Sequence, residues 1–493
     1  MGISRYRHQP KSFAQKSRLD DNLRMLSCRA RDNNAWFMKQ FGRALNRQGS
    51  KDSSRIDLAT AENWLIRPDL LELLRKNCWK NLESKHLSYA TGLGGAPELL
   101  AAVSKFYNCF FAPSIPVEPE HLVVGPGCSS ILDTLINDIC DDGDGLLVAA
   151  PMWGSFEISA VLRNRVKIIP VQVPSGRSGS ANEVVGAYRD AAEKSTCNVR
   201  GILFCNPHNP SGHICPVDII DSLLQYCEQA DFHFISDEIY ALSSFGSIGT
   251  TANGNRTACE PVSSQFFSVL QRDLNGLGVR MARVHQIYSI SKDFGSSGLR
   301  LGCLVTQDNK ELRMSQSILN NAKICNVAAI MIIPILEDLS TLATLVNINK
   351  ERLREAARVA IQFAEFHELE YIKPAAGLYV WVRLSAECTT WGEEEDCVQQ
   401  CANRGVMVGS GADYAEFRPG WYRLTFAVPQ LDLLAGLHRI EDAMGYSARF
   451  QPDSDFRSLS SWRLSKLLSS WVAPTFMGWK QRLKLLDTWV LAR

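Results

Sequence analysis

From about residue 90 onward the chain alternates stretches of helical periodicity with short runs that are apolar throughout and rich in β-branched residues. Leu122-Val123-Val124 runs into Gly125-Pro126-Gly127, and Leu146-Leu147-Val148 into Ala149-Ala150-Pro151. Ile202-Leu203-Phe204 precedes Asn206-Pro207, Phe234-Ile235-Ser236 precedes Asp237, and residues 285–289 precede Lys292. A strand with one wet face alternates polar with apolar residues. These runs do not alternate, so both of their faces are covered. The pattern predicts an α/β core, a mixed and mostly parallel sheet covered by helices, over residues 91–345. Beyond it a charged helix over 350–368 and strand-like runs at 377–382 and 422–426 predict a smaller α+β domain over 346–446.

The two ends read differently. Residues 1–50 are polar and basic, with Arg5, Arg7, Lys11, Lys16 and Arg18 ahead of the first acid at Asp20, and are expected to form a mobile extension. Residues 51–90 are expected to be an arm that contributes to the small domain. From 447 onward Trp462, Trp471, Trp479 and Trp489 are interleaved with lysines and arginines. A helix lying on a membrane surface, packing on the protein body or a partner, and a poorly ordered tail are all open readings of that segment.

Composition narrows the classes. A chain of 493 residues is long enough for two domains, and 45% hydrophobic with 21% charged residues is ordinary for a globular protein. A net charge of +1 argues against nucleic acid as the main partner. No apolar stretch nears the roughly 18 residues of a membrane span, and the first thirty residues lack the apolar run of a secretion signal, so the cytoplasm is the expected location. The 15 cysteines are scattered singly and read as reduced thiols. Cys397 and Cys401 share a helix face without a second pair nearby, so no metal site is expected.

Polar and special residues gather after the predicted strands, where ligands sit in such sheets. Asn206-Pro207-His208-Asn209-Pro210 follows one strand, Asp237-Glu238-Ile239-Tyr240 another, and Ser289-Ile290-Ser291-Lys292 through Gly298-Leu299-Arg300 a third. In this order the blocks resemble the class I and II aminotransferases of fold type I, enzymes dependent on pyridoxal 5'-phosphate (PLP). The resemblance implies a large cofactor-binding domain with a smaller α+β domain, and it assigns roles. Lys292 matches the lysine that holds the cofactor as a Schiff base and then moves the α-proton. Asp237 matches the carboxylate that keeps the pyridine nitrogen protonated, and Tyr240 and Asn209 match the pair on the ring 3-oxygen. Gly127, Cys128 and Ser129 at a helix start, with Ser289 and Arg300, match the phosphate contacts. Trp153 matches the aromatic stacked on the ring.

Arg423 matches the arginine that grips a substrate α-carboxylate, which implies an amino acid or amino-acid conjugate as substrate. Tyr89 resembles the tyrosine that reaches the neighbouring subunit's site, implying a homodimer with shared active sites. Ala61-Glu62-Asn63 and the run from Gly409 to Arg423 resemble the 1-aminocyclopropane-1-carboxylate (ACC) synthase-like branch, with Glu62 beside the substrate. Phe294 and Ser297 stand closer to its fungal and animal members than to the plant synthases. That branch implies an aminotransferase of secondary metabolism, with a carbon–sulfur lyase or an ACC synthase-type γ-elimination as alternatives, and a catalytically silent binding protein as the non-enzyme reading.

Overall fold

The computed structural model describes residues 25–48, 54–89, 91–174, 179–246, 258–259 and 265–453. The tail tryptophans 462, 471, 479 and 489 and the basic residues before Asp20 lie outside the described residues. The chain divides into two compact units, 1–53 and 54–493. Within the first, the segment expected to be a mobile extension carries a helix, Cys28–Gln48. Phe37 and Phe41, one turn apart, pack at a centroid distance of 5.2 Å, and Trp36 meets Phe41 edge-on at 5.8 Å. That (i, i+4) aromatic pair is a helix signal which the basic start of the chain obscures.

In the second unit the strands are β1 (Ile56–Asp57), β2 (Leu122–Gly125), β3 (Gly145–Ala150), β4 (Lys167–Gln172), β5 (Val199–Cys205), β6 (His233–Asp237) and β7 (Ala258–Cys259). They continue with β8 (Val284–Ser289), β9 (Gly302–Val305), β10 (Glu370–Ile372), β11 (Tyr379–Arg383), β12 (Val406–Met407), β13 (Gly409–Ser410) and β14 (Trp421–Thr425). The main sheet has seven strands in the order β2-β9-β8-β6-β5-β3-β4. Only β9 runs against the rest, so the sheet is mixed and mostly parallel, as the apolar runs predicted. Strands β2, β6 and β8 are buried along almost their whole length, which is why their residues do not alternate. Strand β4, largely uncovered at the sheet edge, lacks that burial.

A second, five-stranded sheet has the order β13-β14-β11-β10-β7, and β1 pairs with β12 in parallel. The helix Leu339–Phe366 joins the two hydrophobic cores. Its Leu342, Leu345, Val346 and Ile348 pack in the cluster of the main sheet, and its Leu353, Ala356, Ala360 and Phe363 in that of the second. It starts well before the charged run at 350 because Asp338 caps it, accepting from the Thr341 N–H at 3.1 Å. The arm behaves likewise: Leu58, Ala61 and Leu65 enter the second core, whereas Ile66, Leu70 and Leu73 enter the first.

Candidate active site

Register brings the motifs to one edge of the main sheet. Gly125 of β2 and Ser289 of β8 both pair with Gly302 of β9, while Cys205 of β5 and Ile287 of β8 both pair with Asp237 of β6. The segments after β2, β5, β6 and β8, and the one before β9, therefore open onto the same edge. Asn209, Asp237, Tyr240, Lys292 and Arg300 come from those segments.

Lys292 lies on the short helix Ile290–Asp293 and points its Nζ at the carbonyl of Ala61, 2.6 Å away. Burial, followed by the charge of Arg423, pulls its ammonium down to about 8, against the opposing pull of Glu62. A usable fraction of free amine is therefore present near neutral pH. Asp237 is 4% exposed, and its one donor among the described residues is the Ile239 N–H at 3.2 Å. Burial lifts its carboxyl to about 7, with that hydrogen bond and Lys292 pulling the other way. A carboxylate so placed is completed by a cationic N–H. Tyr240 is buried edge-on to Tyr379 with centroids 5.4 Å apart, and burial raises its phenol above the ordinary value.

Strand β2 ends at a cradle for an anion. Gly127, at φ +89°, is the N-cap of the helix Cys128–Ile139, whose first amides lack intrahelical acceptors. A Cβ at Gly127 would collide with the guanidinium of Arg300. Arg300 holds the left-handed conformation at φ +53° and donates to Pro126 O at 2.7 Å and Ser297 O at 2.8 Å. Cys128 is buried beneath this cradle and Ser129 is exposed on it. Ser289 Oγ pairs with Ser291 Oγ at 2.7 Å and donates to Leu301 O at the same distance, tying the lysine turn to the Arg300 segment.

Arg423, on β14, is 4% exposed and has neutral partners. One terminal nitrogen donates to Asn209 Oδ1 at 2.9 Å and the other to the carbonyl of Ala59. The rings of Tyr379 and Tyr414 flank the guanidinium at 4.8 and 4.9 Å, and its Nε is buried without an acceptor. Among the described residues this buried cation is held by carbonyls and rings and meets no carboxylate. Tyr379 and Tyr414 escaped the sequence reading, because a tyrosine on a strand or turn reads as packing until its neighbours are known. Trp153 is half-buried, edge-on to Phe156 at 5.2 Å, and Met152 N–H donates to Tyr414 O at 2.7 Å.

Glu62 pairs with Arg67 and accepts from Ser297 Oγ at 2.5 Å. Burial raises its pKa, but the bonds from Ser297 and Arg67 outweigh it and leave the carboxylate below its ordinary value. Arg67 in turn stacks on Trp64 at 3.7 Å. Tyr89 stands apart from these residues: it is 85% exposed and lines a surface cavity of about 710 Å3 with Leu87, Gly94 and Asn326. Among the described residues no cluster of three or more metal-ligating side chains occurs.

The donor set suits a flat, phosphorylated ligand with a basic ring nitrogen and an aldehyde, since one edge offers an anion cradle, a buried carboxyl and a poised amine. The family model described as aminotransferase class I and II matches residues 66–440. The aminotransferase verI of Clonostachys rogersoniana is 58% identical over 430 residues, which cover 86% of this chain and 95% of that protein. A mouse protein named probable inactive 1-aminocyclopropane-1-carboxylate synthase-like protein 2 is 28% identical, covering 78% of this chain and 65% of its own. A double mutant of Thermus thermophilus aspartate aminotransferase superposes with a TM-score of 0.66 at 21% identity, over 85% of this chain and 99% of that one. The sequence matches and the superposition bear out the expected family and the expected fold.

Proposed function

The chain belongs to the class I and II aminotransferases, and from that premise we propose that it binds PLP and transaminates an α-amino acid on a route to a secondary metabolite. The observation that carries the reading is the pairing of a buried, deprotonatable Lys292 with a buried Arg423 that meets no carboxylate among the described residues. Lys292, Asp237, Asn209 and Tyr240 would hold the ring, and Gly127, Cys128, Ser129, Ser289 and Arg300 the phosphate, with Trp153 against the ring face. Bound there, PLP supplies an electron sink for the charge left when a substrate loses its α-proton.

The chain's own groups do the rest. Lys292, as the free amine, accepts the α-proton and returns it, with the carboxylate of the substrate fixed by the fork of Arg423. Asn209 and the Ala59 carbonyl orient that fork by accepting one N–H from each of its terminal nitrogens, leaving the remaining N–H groups to the substrate. Glu62, held charged by Arg67 and Ser297, lies where it can meet the substrate's ammonium or side chain. Tyr89, exposed on the surface, fits a contribution to a second copy's site in a homodimer. The cysteines described are free thiols, which fits the cytoplasm.

Borohydride treatment of the purified holoprotein is expected to fix the cofactor covalently on Lys292, and peptide mapping that finds no label there would sink the reading. Exchange of an amino group with an added keto acid is the expected turnover. Release of a thiol and pyruvate from a cysteine conjugate, without any keto acid, would replace transamination by carbon–sulfur lysis.

A further inference from the structure

Immediately after Lys292 comes a buried acid to which the chemistry above gives no part. Asp293 is 1% exposed, and its carboxylate gathers three donors from two other segments. Oδ2 accepts from the Leu242 N–H at 2.9 Å and from the Tyr288 hydroxyl at 3.0 Å, and Oδ1 accepts from Ser243 Oγ. Leu242 and Ser243 belong to the turn that begins at Tyr240, and Tyr288 to β8. The carbonyl of the same residue accepts from Asn349 Nδ2 at 3.0 Å, and Asn63 Nδ2 donates to Asn349 Oδ1 at 2.8 Å. Two residues further on, Gly295 holds φ +59°, and a Cβ there would collide with the Asn63 carbonyl.

These contacts converge on one short helix. Ile290–Asp293 has four residues and cannot hold a fixed orientation through its own hydrogen bonds. We propose that Asp293 is a positioning residue, which locks the Lys292 turn to the Tyr240 turn and so fixes the distance between the lysine amine and the phenol. The physical reason is rigidity: two side chains delivered from the ends of two strands keep their spacing only if the loops carrying them are joined. A burial-driven role alone would not require two directed donors from the loop that carries Tyr240 and a third from β8.

The proposal rests on the functional reading given above, and the test separates the two. Asp293→Ala removes every acceptor, whereas Asp293→Asn keeps an oxygen for Leu242 and Tyr288 and can donate to Ser243. In the cofactor-free protein, hydrogen exchange at the Leu242 amide is expected to rise at least about tenfold in Asp293→Ala and to stay near parent in Asp293→Asn. In the holoenzyme, Asp293→Ala is expected to lose about 100-fold in kcat, the scale of a misplacement near 1 Å. The KM for the amino acid should hold within about threefold because Arg423 is untouched, and the pH titration of the visible absorbance band should shift with the Tyr240 spacing. Asp293→Asn should recover most of kcat. Should Asp293→Ala not fold, Ser243→Ala combined with Tyr288→Phe removes two of the three donors and is expected to give the same signature at a smaller amplitude.

A lower Tm with parental kcat, KM and titration would reduce Asp293 to a structural part and overturn the proposal. Equal damage in Asp293→Asn and Asp293→Ala would overturn it too, since charge and not the hydrogen-bonded tie would then matter. Faster exchange at Leu242 together with an unlabelled Lys292 after borohydride would leave the tie standing and fail the functional reading instead.

Discussion

The Lys292 end and the Arg423 end of the site are built from the same kind of material, a buried cation beside polar carbonyls, and yet they answer burial in opposite ways. Lys292 gives up part of its charge, settling at about 8 under desolvation and the nearby Arg423. A guanidinium cannot do so at any ordinary pH, and that of Arg423 rests on Asn209, the Ala59 carbonyl and two tyrosine rings. Under the proposed reading one end serves as nucleophile and base and the other as a fixed anion receptor. The difference lies in the chemistry of the two side chains, and their proximity lets the second tune the first.

The contrast breaks most completely at the lysine. Lys292→Ala should lose covalent cofactor and at least about 1,000-fold in kcat, since both a nucleophile and a general base disappear; retention of either in a mass spectrum or a steady-state assay would refute the assignment. Asp237→Asn comes next. The neutral amide cannot hold a protonated ring nitrogen, and a loss of about 100-fold, mostly in kcat, is expected from stopped-flow or steady-state rates.

At the other end Arg423→Lys keeps a positive charge and loses the planar fork. Steady-state kinetics should show kcat/KM falling about 30-fold through KM for the amino acid, in line with one lost charge-assisted hydrogen bond of about 2 kcal/mol. Capture of PLP by the cofactor-free protein gives a finer comparison. Because burial lowers the Lys292 pKa, protonation blocks the amine below about 8, so the capture rate should climb about tenfold per pH unit from 6 to 7 and level off above 8. A rate that goes on climbing about tenfold per pH unit through pH 9 would mean that the amine is not desolvated as its surroundings indicate. The smallest effect is expected for Tyr414→Leu, which removes one ring from Arg423 and should raise KM only a fewfold, about 0.5–1 kcal/mol.

Much of the Lys292 end could be read along the chain because strand ends deliver it. Each apolar run stops at the residue that matters, and register then carries Gly125, Cys205, Asp237 and Ser289 to one edge. At the Arg423 end the arginine and Asn209 were legible, but not their contact with each other. Its partners Ala59, Asn209, Tyr379 and Tyr414 come from the arm, a loop of the main sheet and the second sheet, and no local pattern links them. Asp293 was hidden differently. It stands in the lysine motif, but whether a carboxylate there faces solvent or gathers Leu242, Ser243 and Tyr288 depends on a loop some fifty residues earlier.

The sequence by itself determined the α/β core and the order of the motifs, and through its resemblance to the family it singled out Lys292, Asp237, Arg300 and Arg423 as candidates, because hydrophobic periodicity and short motifs are local. Tertiary structure alone decided how far Lys292 is desolvated, which groups surround Arg423 and which residues hold the lysine turn in place. Those are matters of dielectric and of contacts across long sequence separations, and they come into being only when the two hydrophobic cores close on the helix Leu339–Phe366 that joins them.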